Sequence, residues 1–199
     1  MSKVLKQVYQ CPLETVDQII RSEPFLVPAR IVRGSILGLL GEESWGLKEI
    51  PTAHYGAAFG EWVGYYHRGL LLLKLERHNE AREQLIGKAS ALLTTTEDSV
   101  LLRLAAAMTY ICEGKLDGAR RVLQAEGNVL DAYAQYLKHV LELHVAIESG
   151  NDAEEKVLLD QLRPVATMGH AFSPVIDALR NRDMARAKRL ELNLLCMAA

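Results

Sequence analysis

Cysteine is scarce in this chain. Three of 199 residues, Cys11, Cys112 and Cys196, are cysteine, and they lie far apart with no CxxC pair. Zinc ribbons and dithiol redox sites need such pairs, and a disulfide scaffold needs more cysteines in a shorter chain. Three reduced thiols of a cytoplasmic protein are the expectation. Proline (six residues) and aromatic residues (6%) are also few, which disfavours a β-sandwich. Neither sign of charge is in excess: 23 Lys and Arg face 25 Asp and Glu, for a net charge of −2. A basic excess for nucleic acid and an acidic excess for disorder are therefore both missing. No long apolar run exists; the greasiest stretches are broken by Lys74 and Arg103, so no membrane span is predicted. The N-terminal residues MSKVLKQVYQ hold no apolar segment of the signal-peptide kind.

Catalytic and cofactor motifs are wanting too. The chain contains no GxxxxGK[ST], GxGxxG, GxSxG or HExxH. Of six histidines, His139 and His144 are five apart, which places them about 140° apart around a helix, so they do not converge. His54, His67, His78 and His170 fall on separate elements. No metal, no cofactor and no catalytic group is expected.

What the chain does hold is helix-forming sequence. Leu, Ala, Glu, Arg and Lys fill the stretches between regular breaks at Pro12, Pro24, Pro28, Gly41, Pro51, His78–Asn79, Thr94–Thr96, Gly114, Gly127, Gly150, Pro164 and Pro174. The pattern predicts about ten helices: Leu13–Arg21, Pro28–Leu40, Glu43–Ile50, a long Thr52–Arg77, and Glu80–Leu93 capped by Asn79. A helix from the Thr94–Glu97 capping box to Glu113 follows, then a short one capped by Asp117. Val129–Ser149, Asp152–Leu162, a helix opened by Ser173–Pro174 and a last one capped by Asp183 complete the chain, with 164–172 as a loop. Links of two to six residues force neighbouring helices antiparallel, so the fold class is all-α, a chain of helical hairpins.

Two stretches repeat one another: GYYHRGLLLLKLERHNEAREQLIGKAS and LLRLAAAMTYICEGKLDGARRVLQAEG. Gly69 precedes Ala81 by twelve residues, as Ala107 precedes Ala119. A small residue on each helix at that spacing lets two backbones approach within a hairpin. Leu72 with Leu85, and Tyr110 with Leu123, supply bulk one turn on. This small–large–small pattern resembles the tetratricopeptide repeat, a helix–turn–helix unit of 34 residues. The resemblance is clearest over about 62–95 and 98–127. It implies a single domain over 1–199, with hairpins stacked as a short right-handed α-solenoid; the rival arrangement is an irregular helical bundle with the same hairpins.

In that family the first helices line a concave, peptide-binding groove. The resemblance places Tyr66, Leu70, Leu73 and Lys74 there in one unit, and Leu104, Met108, Ile111 and Cys112 in the next. These are mostly apolar, and Tyr66 and Leu70 stand where the family's charged clamp for a C-terminal carboxylate would need Lys and Asn. The implied partner is a hydrophobic helix or strand, or a second copy of the chain.

A further pattern lies on the long helix. Tyr55, Phe59, Trp62 and Tyr66 share one face, and Gly56, Gly60 and Gly64 recur every four residues beside them. Each glycine costs a helix interior roughly 1 kcal/mol relative to Ala, which points either to close helix packing or to a trough for a partner helix or lipid-like ligand. Residues 180–189, RNRDMARAKR, are basic but lack interleaved aromatics, and fit a capping helix docked on the last hairpin. The expected function is a non-catalytic interaction scaffold with a protein partner, binding neither nucleic acid nor membrane. The alternatives are an accessory domain acting with an enzyme or transcription factor, and a small-ligand carrier using the aromatic–glycine helix.

Overall fold

Helices dominate because their formers do. The computed structural model describes residues 3–51, 61–89, 91, 96–125, 132–168 and 172–198, and among these no strand occurs. The helices are α1 (Lys3–Ser22), α2 (Val27–Leu39), α3 (Glu43–Glu49), α4 (Glu61–Lys74) and α5 (His78–Arg82), which continues as a π-helical segment, Glu83–Ala89. Then come α6 (Thr96–Cys112), α7 (Leu116–Gln124), α8 (Ala132–Glu148), α9 (Asp152–Met168), α10 (Ser173–Arg180) and α11 (Met184–Ala198). By their contacts they form two compact units, 1–92 and 93–199. The two clearest repeat-like stretches fall one in each.

Several predicted boundaries move. Helix α1 passes through Pro12, and α9 passes through Pro164 to Met168, where a loop was expected. A proline removes one N–H and strains the turn before it, and neither helix ends there. Asn79, Asp117 and Ser173 lie inside the first turns of their helices; the flanking positions belong to Arg77, Lys115 and Phe172, with no side-chain cap. Asp183 does cap α11, its Oδ1 accepting from the Arg186 N–H at 3.1 Å. Asn151 caps α9 in the same way, accepting from the Glu154 N–H at 3.3 Å while its own amide donates to the Glu154 carboxylate at 2.8 Å. The start of the predicted long helix, 52–60, and the Thr94 capping box lie outside the described residues.

One turn recurs through the described residues. Gly41, Glu76, Gly114, Gly150 and Arg182 all have left-handed φ, between 57° and 86°. At each, that residue's N–H donates to the carbonyl three back, and the next residue's N–H donates to the carbonyl five back, as in Gly114 to Ile111 (3.0 Å) and Lys115 to Tyr110 (2.9 Å). This is the Schellman closure of a helix. It ends α2, α4, α6, α8 and α10, and each is followed at once by its antiparallel mate. Successive turns are 35, 38, 36 and 32 positions apart. Glu76 occupies a conformation that disfavours a Cβ by roughly 1–2 kcal/mol. Glu76→Gly is therefore expected to stabilise the chain by about 0.5–1 kcal/mol after glycine's unfolded-state entropy is subtracted, measured by urea unfolding. A loss of stability would show that the turn is not strained there.

In the first unit, α1 and α2 pack through Val16, Ala29 and Ile36, and a second cluster joins Ile31, Ile50 and Leu71. Helices α2 and α3 nearly touch backbone to backbone: a Cβ on Gly34 would stand 2.7 Å from the Gly46 carbonyl oxygen, and a Cβ on Gly46 would collide with the Gly34 carbonyl. Arg33 binds Asp17 of α1 at 2.7 Å and Glu49 of α3 at 3.1 Å. Arg68 of α4 donates to the carbonyls of Leu47 and Ile50 at 2.9 and 2.7 Å, satisfying the end of α3. In α4, a Cβ on Gly69 would collide with Leu85 of the π segment, so the small residue of the repeat pattern does serve close packing.

In the second unit the same economy holds. Ala107 and Ala119 are both fully buried between α6 and α7. Gly118 lies under the Tyr110 ring, which a Cβ there would approach to 2.8 Å. Helix α8 packs on α6, α7, α9, α10 and α11, and α11 reaches back past its own hairpin to both α6 and α8.

Candidate functional site

The side chains assigned to an open groove are enclosed. Tyr66, Leu70 and Leu73 in α4, and Leu104, Met108 and Ile111 in α6, are each between 0 and 3% exposed. They are core residues in this structure, and the expectation of an accessible apolar surface at these positions is corrected. In the first unit α4 is covered by α2, α3, α5 and the π segment; in the second α6 is covered by α7, α8 and α11. Lys74 is half-buried, and its ammonium donates to the Gly38 carbonyl at 2.9 Å, tying α4 to α2. Burial pushes the Cys112 thiol up to about 12, so it is no nucleophile at neutral pH.

The aromatic–glycine helix is described only from residue 61. Trp62 and Tyr66 are buried with their rings edge to face, 5.7 Å apart, and Gly64 is buried as well. This end of the stripe is core. Tyr55, Gly56, Phe59 and Gly60 lie outside the described residues. His67, beside Tyr66, is buried, and desolvation lowers its pKa to about 4, so it stays neutral.

A different constellation emerges where α11 crosses α6 and α8. His144 of α8 and Glu191 of α11 are both fully buried. The His144 Nδ1–H donates to the Glu191 carboxylate, with both oxygens at 2.8 Å. On the other edge of the ring, Nε2 lies 3.4 Å from Oε1 of Glu148, which also binds the Lys188 ammonium of α11 at 3.1 Å. Burial by itself would depress the imidazole pKa. The charge and hydrogen bond of Glu191, with the charge of Glu148, outweigh that burial and leave the pKa above its ordinary value. The Tyr133 hydroxyl adds a hydrogen bond to the Leu194 carbonyl at 2.9 Å. Sequence reasoning passed over this site, although each member left a trace: Glu191 interrupts the apolar LELNLLC, and His144 interrupts LELHVAI.

Between α9 and α10 lies a cleft of about 400 Å³ lined almost wholly by charged side chains. Arg182 pairs there with Glu155 at 2.9 Å, and Arg163 with Asp160 at 2.6 Å, so much of its charge is already neutralised. Elsewhere, the first unit carries large apolar side chains in water: Phe25 is 94% exposed, Trp45 62% and Val32 47%. The Lys48 ammonium sits 4.7 Å from the Trp45 ring centre.

Among the described residues no helix is long and apolar enough to cross a membrane, and no group of three or more His, Cys, Asp or Glu is placed to hold a metal ion. Comparison of the chain with protein-family models, with curated proteins and with solved structures gave no match.

Proposed function

We propose that this chain is a non-catalytic interaction scaffold of tetratricopeptide-like hairpins that binds another protein. The observation that carries the reading is the single closing turn shared by the hairpins at Gly41, Glu76, Gly114, Gly150 and Arg182, at a period near the 34 residues of that repeat. Such arrays present helix faces to partners and need no reactive centre. The titratable groups support it: His67 is held neutral, the Cys112 thiol is raised, and His144 is hydrogen-bonded through Nδ1 to Glu191.

With the first-helix side chains enclosed, the exposed aromatic anchors among the described residues are Phe25 and Trp45 of the first unit, while the second unit exposes Val157 and Met197. Phe25, Val32 and Trp45 are of the type that anchors interfaces, where a buried aromatic contributes most. Affinity capture with the full chain is expected to retain a protein in near-stoichiometric amount, and the exposed double variant Phe25→Ser with Trp45→Ser is expected to lose it. Retention unchanged by the double variant would overturn this surface as the site. Failure to retain any protein would overturn the scaffold reading.

A further inference from the structure

Helix α11 packs on its hairpin mate α10 and reaches beyond it to α8 and α6. It lies against α6 and α8, the first helices of two successive hairpins, and buries one face: Ala187, Glu191, Leu192, Leu194, Leu195 and Cys196. In the middle of that apolar face stands a carboxylate, met by the only imidazole that α8 buries completely among the described residues. A buried ion pair is a poor means of adding stability, because its desolvation offsets its Coulomb energy, and an apolar pair of similar size often does as well or better. It does make docking selective for a helix with an acid at that position, and conditional on the imidazole carrying its proton. The turn into α11 is also strained, since Arg182 adopts φ 57° without being glycine.

We propose that α11 is a built-in guest of the α6–α8 face and that the His144–Glu191 pair is its latch, so that the face itself is a binding site for an amphipathic helix bearing one inward carboxylate. The charged and titratable groups around the latch are few. From α8 comes Glu148, from α11 come Glu191 and Lys188, and from α6 comes the Cys112 thiol, which lies in the field of Lys188, Glu191, Glu148 and the neighbouring Glu113. Protonated, His144 holds Glu191; neutral, it leaves the carboxylate buried beside Glu148 with a weaker partner, and α11 lifts. The partner this site would take rests on the scaffold reading, but the latch is tested without any cellular partner.

Amide hydrogen exchange of the full chain, expressed as protection relative to the intrinsic rate at each pH, reads the latch directly. Protection across 184–198 is expected to fall between pH 6 and pH 9 while that of α9 holds, because a proton held more tightly in the docked state is lost as the pH rises. In Glu191→Gln it is expected to be low at both pH values. Protection that does not depend on pH, or that falls equally in α9, overturns the latch. A labelled peptide of residues 184–198, with Cys196→Ser, is then added to full-length Glu191→Gln, whose own α11 is weakened while His144 is intact. Binding is expected, and the same peptide carrying Glu191→Gln is expected to bind about tenfold more weakly. If Glu191→Gln does not fold, Leu195→Ala in the full chain serves the same purpose by weakening the apolar docking alone. Equal affinity of the two peptides, or no binding, overturns the guest site and leaves the scaffold reading, with its separate surface at Phe25 and Trp45, untouched.

Discussion

Glu191→Leu is expected to destabilise the second unit by about 3–5 kcal/mol, the range for removing one partner of a buried pair. The reason is the group left behind. His144 is fully buried, and without Glu191 it keeps only the 3.4 Å approach of Glu148, so it must either carry an under-compensated charge or give up its proton. The double variant His144→Leu with Glu191→Leu is expected to recover most of that loss or to exceed the parent by about 1–4 kcal/mol, because no charge then has to be desolvated. Urea unfolding of the parent, both single variants and the double variant forms a complete cycle. Single losses below about 1 kcal/mol would mean that water reaches the pair. The pH dependence has a definite sign. The folded-state pKa of His144 lies above its ordinary value, so its contribution is fully present below about pH 6.5, the unfolded value, and is lost as the pH rises through the folded value. The parent should weaken across that window, and the double variant, which keeps neither titrating group, should not.

Gly46→Ala is expected to cost about 1–3 kcal/mol net, although alanine favours a helix by up to about 1 kcal/mol over glycine. The added Cβ would meet the backbone carbonyl of Gly34, and a backbone cannot swing aside as a side-chain tip does. Helices α2 and α3 would have to separate, which would loosen the fit of Ile50 against Ile31 and Leu71 and stretch the Arg33–Glu49 contact. Gly87→Ala is the control: nothing lies within 4 Å of a Cβ there, so that variant should be tolerated. Thermal unfolding distinguishes the two, and equal midpoints would show that the α2–α3 contact opens easily.

Much of the local structure was legible in the chain. Leu- and Ala-rich stretches became helices, and Gly41, Gly114 and Gly150 marked turns because only a residue without Cβ enters the left-handed region at little cost. Glu76 and Arg182 make the same turn without that mark, so the equal spacing of the hairpins emerges only from their φ angles and hydrogen bonds. The small residues at Gly69, Ala81, Ala107 and Ala119 were rightly assigned to close packing, since volume at a helix crossing is a local requirement. Proline misled at Pro12 and Pro164, where the helix continues despite the one hydrogen bond each proline cannot make.

The site was not legible in the same way, and the physical reason is general. An apolar stripe on a first helix has one composition whether it faces a partner, solvent or another helix of its own chain. Leu104, Met108 and Ile111 therefore carried the signature of a groove, and only the packing of α7, α8 and α11 on α6 decided that they are core. The His144–Glu191 pair spans 47 positions; neither residue has a motif, and each on its own looks like a polar interruption of a greasy helix. By itself the sequence determined the helices, most of their turns and the small residues at their crossings, because those depend on neighbours within a turn or a hairpin. Which apolar faces meet, and which buried proton holds them, belonged to the tertiary structure, because burial and electrostatic pairing are properties of positions that the chain brings together only when it folds.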